Sequence, residues 1–264
     1  MKKFLLAFSI LVAPILIVIG VASGANWIVT CSQSHLNNDD PIVFPNQPGA
    51  SHTHLFAGSR GTDAFSTPDQ MRAAGTTCLI PGDTAGYWEP KPNNYNLHPN
   101  GGLLVYYAAS TNGRAFPDGL KMVVGNAKAT SEATNWGIAQ GRIRFKCGPG
   151  SGTETPRPPM SCSSGMLVPV VTFPKWWDGV NLDSPDHISH MSYSKNTAHP
   201  IELIQLKAYV RHAVPASQLI DFSLASGPYY TYHMDAFLTW QAADLQRLVE
   251  QCITTGRNCG TNPQ

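Results

Sequence analysis

Charge is scarce in this chain. Asp, Glu, Lys and Arg make up 13% of 264 residues, and 18 basic against 17 acidic side chains leave a formal net charge of +1. No basic stripe is interleaved with aromatics, which excludes a nucleic-acid grip. There is no CxxC pair, no HExxH, no GxSxG elbow and no Gly-rich phosphate loop. Those absences set aside zinc-ribbon, helix-borne metalloprotease, α/β-hydrolase and nucleotide-binding chemistry. No internal repeat or low-complexity tract occurs, and beyond the first 25 residues no apolar run reaches the length that spans a bilayer.

What is present starts with a leader. Lys2 and Lys3 precede an apolar run from Phe4 to Ala22, interrupted by Pro14 and followed by Ser23, Gly24 and Ala25. Residues 1–25 are expected to be a signal peptide cleaved near Gly24 or Ala25, leaving 26–264 as one secreted domain. The alternative is an uncleaved anchor, the one route by which a membrane would enter. All six cysteines (Cys31, Cys78, Cys147, Cys162, Cys252, Cys259) follow the leader, and an even count in an exported chain favours disulfides over zinc. Sequence proximity suggests 147–162 and 252–259, which leaves 31–78. Closing a loop like 147–162 adds on the order of 3 kcal/mol in the chain-entropy model.

The 23 glycines and 21 prolines are spread evenly, so turn signals recur without a linker. Between them lie strand-length runs such as "GLLVYYAAS", "LKMVVGNA", "GRIRFKC", "MLVPVVTF" and "IELIQLKAYV". Helices are expected at "STPDQMRAAGTTC", with a Ser/Thr cap and an early Pro, and at "TWQAADLQRLVEQCITTG", which Gly256 ends. The expected fold is mainly β, a single-domain sandwich or jelly-roll-like arrangement with a few short helices and long loops.

Four places carry candidate chemistry. In "GASHTHLFAG", His52 and His54 share a face if extended, as a metal pair or a proton shuttle, or else as a polar strand end. In "NLDSPDHISHMSY", Asp183, Asp186, His187 and His190 crowd into eight residues. Pro185 suggests a helix start there that puts both imidazoles on one face; the bland alternative is an Asx-type turn with solvated histidines. In "YYTYHMDAF", His233 and Asp235 have the local spacing of a facial-triad metal site, with further ligands required from upstream. In "DTAGYWEPK", Tyr87 and Trp88 beside Glu89 suit a sugar-stacking platform, with Trp177 and Trp240 as further aromatics, or else they are core residues.

Together, "DPIVFPNQPGASHTHLFAG" (40–58), "STPDQMRAAGTTC" (66–78), "DTAGYWEP" (83–90), "WDGVNLDSPDHISHMSY" (177–193), "HPIELIQLKAYV" (199–210) and "YHMDAFLTWQ" (232–241) resemble the secreted family known as domain of unknown function 1996. Relatives keep the SHxH, DSPDHxSH and late histidine–aspartate blocks, here His52 and His54; Asp183, Asp186, His187 and His190; and His233, Asp235 and Trp240. The family tends to carry cysteines before "WDG" and before "HP", where this chain has Trp176 and "SKNTA", as if one disulfide had been removed. The resemblance implies a polysaccharide-rich setting but no reaction.

The expectation is therefore a carbohydrate- or cell-wall-polymer-active hydrolase or lyase. Its catalytic set is His52, His54, Asp183, Asp186, His187, His190, His233 and Asp235, with Asp186 and Asp235 as paired carboxylates. No cofactor is assured. A divalent metal, if held, falls to His52, His54, His233 and Asp235. The alternative is a non-catalytic wall-binding module using the aromatic platform.

Overall fold

The computed structural model describes residues 24–264 apart from positions 100 and 151. The leader expected at 1–25 falls almost wholly outside the described residues. Strands account for 34% and helices for 12%, in three sheets, consistent with the expected β-sandwich. A five-stranded antiparallel sheet runs in the order Gln33–Asn37, His54–Gly58, Gly86–Pro90, His233–Leu238, Leu120–Gly125. An eight-stranded sheet is built around Asn26–Cys31, Leu103–Ala108, Gln205–Val210 and Met166–Thr172. Its outermost strand, Asn258–Thr261, lies parallel to Asn26–Cys31.

Alternation explains how the sheets meet, because successive side chains on a strand point to opposite faces. Trp27, Val29, Val105, Tyr107, Leu206 and Ala208 of the large sheet share one core with Leu55, Ala57, Tyr87, Met122, Val124, Met234 and Ala236 of the small one. The intervening residues of the small sheet face away from that core. Phe56, Trp88 and Phe237 form a second apolar layer there with Ile42 and Met71. Met71 comes from the helix Pro68–Ala73, and Ile42 from the loop after Asn37. The small sheet is thus covered on both sides, which is why even its "polar" face is largely buried.

Local signals hold where their chemistry is specific. Thr67 caps Pro68–Ala73 through a reciprocal capping box with Gln70, and Gly75 follows at φ +71°. The last helix, Ala242–Leu248, widens into a π-helical turn, Val249–Thr254, before Gly256 at φ +69°. The expected strand 201–210 splits into Ile201–Glu202 and Gln205–Val210. Ile201 and Leu203 put apolar side chains at odd positions, whereas Leu206, Ala208 and Val210 put them at even ones. The break at Leu203–Ile204 resolves that phase change.

Cysteines 31–78, 147–162 and 252–259 form three disulfides, the pairing that proximity suggests. Where the family resemblance leads one to expect two more cysteines, the Lys195 ammonium lies 5.6 Å from the Trp176 ring centroid. The two places are therefore neighbours, and a cation–π contact joins them here.

Between the sheets lies a buried polar knot around Asp83. Tyr87 and Tyr107 both donate to the Asp83 carboxyl, at 2.9 Å, and the Trp240 indole N–H donates to the Tyr107 oxygen at 3.2 Å. Complete burial outweighs these bonds and raises the Asp83 pKa from 3.8 to about 7. An acid raised in the folded state contributes stability that is full below the unfolded value and is lost as pH climbs to the folded one. The stability advantage of the parent over Asp83→Asn should therefore shrink between pH 4 and pH 7. Urea midpoints measured across that range check it; a constant difference would contradict the burial argument.

Candidate active site

The outer face of the small sheet carries polar residues where its apolar layer ends. In the strand register, His54 lies opposite Pro90 and Asp235 opposite Trp88, which puts His54, Pro90 and His233 in one row and Phe56, Trp88 and Asp235 in the next. His54 and His233 thus stand two strands apart with only the flat proline ring between them. Their imidazoles lean together over it until the Nε2 atoms are 3.3 Å apart. His52, just ahead of the strand, closes the group, with ring centroids 4.3 Å from His54 and 5.0 Å from His233. Gly125 lies beside His233 at φ +107°, and a Cβ there would come within 2.6 Å of the Tyr232 carbonyl.

Each ring is anchored from behind. Nδ1 of His54 faces the Asp39 carbonyl at 2.9 Å, and Nδ1 of His233 faces the Thr231 carbonyl at 3.0 Å. A carbonyl only accepts, so both Nδ1 atoms carry the proton and both Nε2 atoms present lone pairs. Nε2 of His52 is buried without a hydrogen-bond partner. Burial depresses the basicity of all three, and repulsion from neighbouring imidazoles adds to it for two; His54 falls well below the ordinary value and His233 to about 3.

Two carboxyls lie underneath. Asp235 is fully buried, and neither of its oxygens meets a donor in good hydrogen-bond geometry, although the Trp88 indole N–H lies close enough to lower its pKa in part. Desolvation and the nearby Asp40 together hold Asp235 well above the usual carboxylate range. Burial also raises Asp40, although its Oδ1 accepts from the Ile42 and Val43 amides at 3.0 Å each. One ligand atom from each of Asp40, His54 and Asp235 lies within 4.8 Å of the other two.

Asp40 and Asp235 line a cavity of about 370 Å³ with His52, His233, Gly125, Lys128, Asp186 and His187. The volume falls within the usual range for small-molecule sites. A larger hollow of about 690 Å³ opens between Pro158, Met160, Phe222 and Tyr229, but no histidine lines it.

The 183–190 segment forms the outer wall, and not as the expected helix. It is a sequence of turns with His187 at φ +58°. Asp186 is exposed, and its Oδ1 accepts from Ser184 Oγ at 2.8 Å and from the Ile188 and Ser189 amides at 3.1 and 2.9 Å. Those donors hold its carboxyl far below the ordinary range, so it anchors the turn. The carboxyl that accompanies Asp235 is Asp40, not Asp186. Asp183 Oδ1 lies 2.9 Å from Nδ1 of His187, and Lys121 Nζ is 3.9 Å from the other oxygen.

His190 sits apart from the cavity. It spans Ser184 Oγ at 2.8 Å and the Lys121 carbonyl at 2.7 Å. With the Lys121 amide bonded to the Leu182 carbonyl, it seals the segment to the edge strand Leu120–Gly125. His187 is the wall between the main cavity and a second one of about 220 Å³ that His190, Tyr193 and Trp136 line.

The aromatic platform is corrected. Tyr87, Trp88 and Trp240 are at most 4% exposed, Tyr87 and Trp240 in the sandwich core and Trp88 in the outer layer, so none presents a face to a glycan. Trp177 is half-buried on the strand Trp176–Trp177, donates to the Asn181 carbonyl at 2.7 Å and lines neither cavity. Glu89 faces inward, 3.0 Å from Nε2 of the buried His212. Asp40 is the residue that sequence reasoning missed, because nothing local marks one of two adjacent aspartates as a cavity floor.

A family model for a domain of unknown function, DUF1996, matches residues 40–240. The chain belongs to this family. The DUF1996 match runs from Asp40 to Trp240 and so takes in every residue of the cavity. It leaves out the strand Asn26–Cys31, its parallel partner Asn258–Thr261 and the 252–259 disulfide. Searches of curated proteins and of solved structures return no match.

Replacing His190 by alanine deprives the Lys121 carbonyl of its donor and should cost about 1–3 kcal/mol. Chemical denaturation measures that cost. Hydrogen exchange should speed at the 182–190 turns more than in the sandwich core; uniform exchange would count against the sealing role.

Proposed function

We propose that the protein is an extracellular enzyme that uses this cavity for acid–base chemistry, hydrolysis or elimination, on a polysaccharide or other cell-wall polymer. The observation that carries the reading is convergence: Asp40, His52, Asp186, His187, His233 and Asp235, from four separate stretches of the chain, line one solvent-reachable hollow. Here Nε2 of His52 and both oxygens of Asp235 are left unpartnered, an expense that suits groups awaiting a substrate.

Roles follow from geometry. Asp183 fixes the His187 ring through Nδ1, leaving Nε2 to take a proton from water or from a sugar carbon. Asp235 is the carboxyl placed to serve the leaving oxygen. Asp186 positions His187 by holding its turn. Three disulfides suit an oxidising compartment, and among the described residues no helix is long and apolar enough to cross a membrane. The disulfides support the extracellular setting, as does the polysaccharide-rich setting that the family resemblance implies. The binding-module alternative is the weaker one, because three of its four platform aromatics are buried.

On whichever polymer of a glycan panel the parent releases soluble ends, Asp183→Ala, His187→Ala and Asp235→Asn should each lower the rate roughly 10²–10⁴-fold. The melting temperatures of the first two variants should stay near the parent's. Undiminished release from all three would refute the assignment.

A further inference from the structure

Two lone pairs pointing at each other need a third party. With both Nδ1 protons committed to carbonyls, the 3.3 Å approach of the His54 and His233 Nε2 atoms is an acceptor–acceptor contact, not a hydrogen bond. A shared proton would relieve it, but only by making an imidazolium among two other imidazoles in a dry recess, where burial and like charge oppose it. A metal ion relieves it without that penalty, since neutral imidazole nitrogen is what such an ion takes up.

The distances fit. Tetrahedral coordination with metal–nitrogen bonds of about 2.0–2.1 Å puts ligand nitrogens roughly 3.3–3.4 Å apart. The third donor is in place, because one ring nitrogen from each of His52, His54 and His233 lies within 4.8 Å of the others. Nδ1–carbonyl bonds of the kind seen on His54 and His233 are the outer contacts that fix metal-bound imidazoles. Cys31, Cys78 and Asp83 also cluster, but both sulfurs are spent in a disulfide.

We infer that His52, His54 and His233 form a three-imidazole site for a divalent transition-metal ion of the zinc class, with the fourth position open to the cavity. Three imidazoles suit zinc and its first-row neighbours and suit magnesium or calcium poorly. Asp235 and Asp40 lie beside the site around His54, placed to accept a hydrogen bond from whatever occupies the open position. This inference goes beyond the proposed function and stands whether or not the cavity turns over a polymer.

The test is calorimetry on the purified, chelator-stripped protein titrated with zinc chloride. One ion should bind per chain, cobalt(II) should give the intense visible absorption of tetrahedral coordination, and magnesium and calcium should give no heat. His54→Gln and His233→Gln should weaken zinc binding roughly 100-fold or more. His199→Gln, at a half-buried imidazole outside the cavity held by Asn196 and the Ser189 carbonyl, should leave it unchanged. If a core variant loses its near-ultraviolet circular dichroism, His52→Gln, at the outermost of the three rings, takes its place. No stoichiometric zinc in the parent, or parent-like affinity in both His52→Gln and His233→Gln, overturns the site. Because no turnover is read, neither result touches the acid–base assignment.

Discussion

Two backbone carbonyls, those of Asp39 and Thr231, govern the candidate site. By taking the Nδ1 protons of His54 and His233 they fix both tautomers, turn both Nε2 lone pairs inward and pin the rings above Pro90. Each carbonyl sits outside the strands it serves. Asp39 belongs to a loop whose own carboxylate is held by Gly49 and Ala64 amides at 2.7 and 3.1 Å. Thr231 ends the 3-10 turn Tyr229–Thr231, just ahead of the strand His233–Leu238. The site's chemistry thus depends on irregular backbone held rigidly against a regular sheet, the usual division between scaffold and working loops.

The same loops explain the burial. An outward sheet face in an antiparallel sandwich is ordinarily wet. Here the 38–50 loop, the helix Pro68–Ala73 and the 183–190 turns roof it, so Phe56, Trp88 and Phe237 form a dry shelf next to the polar residues. Low local dielectric is what leaves His233 neutral and Asp235 costly to ionise. The hollow beside that shelf is bounded by the 40–52 loop, the 123–128 segment and the hydrogen-bonded turn that carries Asp186 and His187.

Much of the architecture was legible in the sequence because its signals are local. The Thr67 cap, the Gly75 and Gly256 stops, the short β-branched runs and the nearest-neighbour cysteine pairs each depend on few residues. A meeting of the 52–54, 183–190 and 233–235 blocks was expected; the cavity takes His52, Asp186, His187, His233 and Asp235 from them and leaves His190 outside. What escaped was non-local. Trp88 and Tyr87 look alike as platform candidates, yet a second apolar layer buries one and the sandwich core buries the other. Pro185 suggested a helix, but Asp183 and Asp186 offer the backbone better partners in turns, as short acidic side chains do. Asp40 becomes a cavity carboxyl only because a strand almost 200 residues later brings Asp235 beneath it.

Side-chain alternation along His233–Leu238 has a further consequence. His233, Asp235 and Phe237 face the roofed surface, while Met234, Ala236 and Leu238 face the sandwich interior. Inserting or deleting one residue within this strand would exchange the two sets beyond the change, sending polar side chains into the hydrocarbon interior and apolar ones to the roofed surface. Changes of length are therefore tolerable only in the connections beyond both ends of the strand, and within it only replacement keeps each side chain on its face.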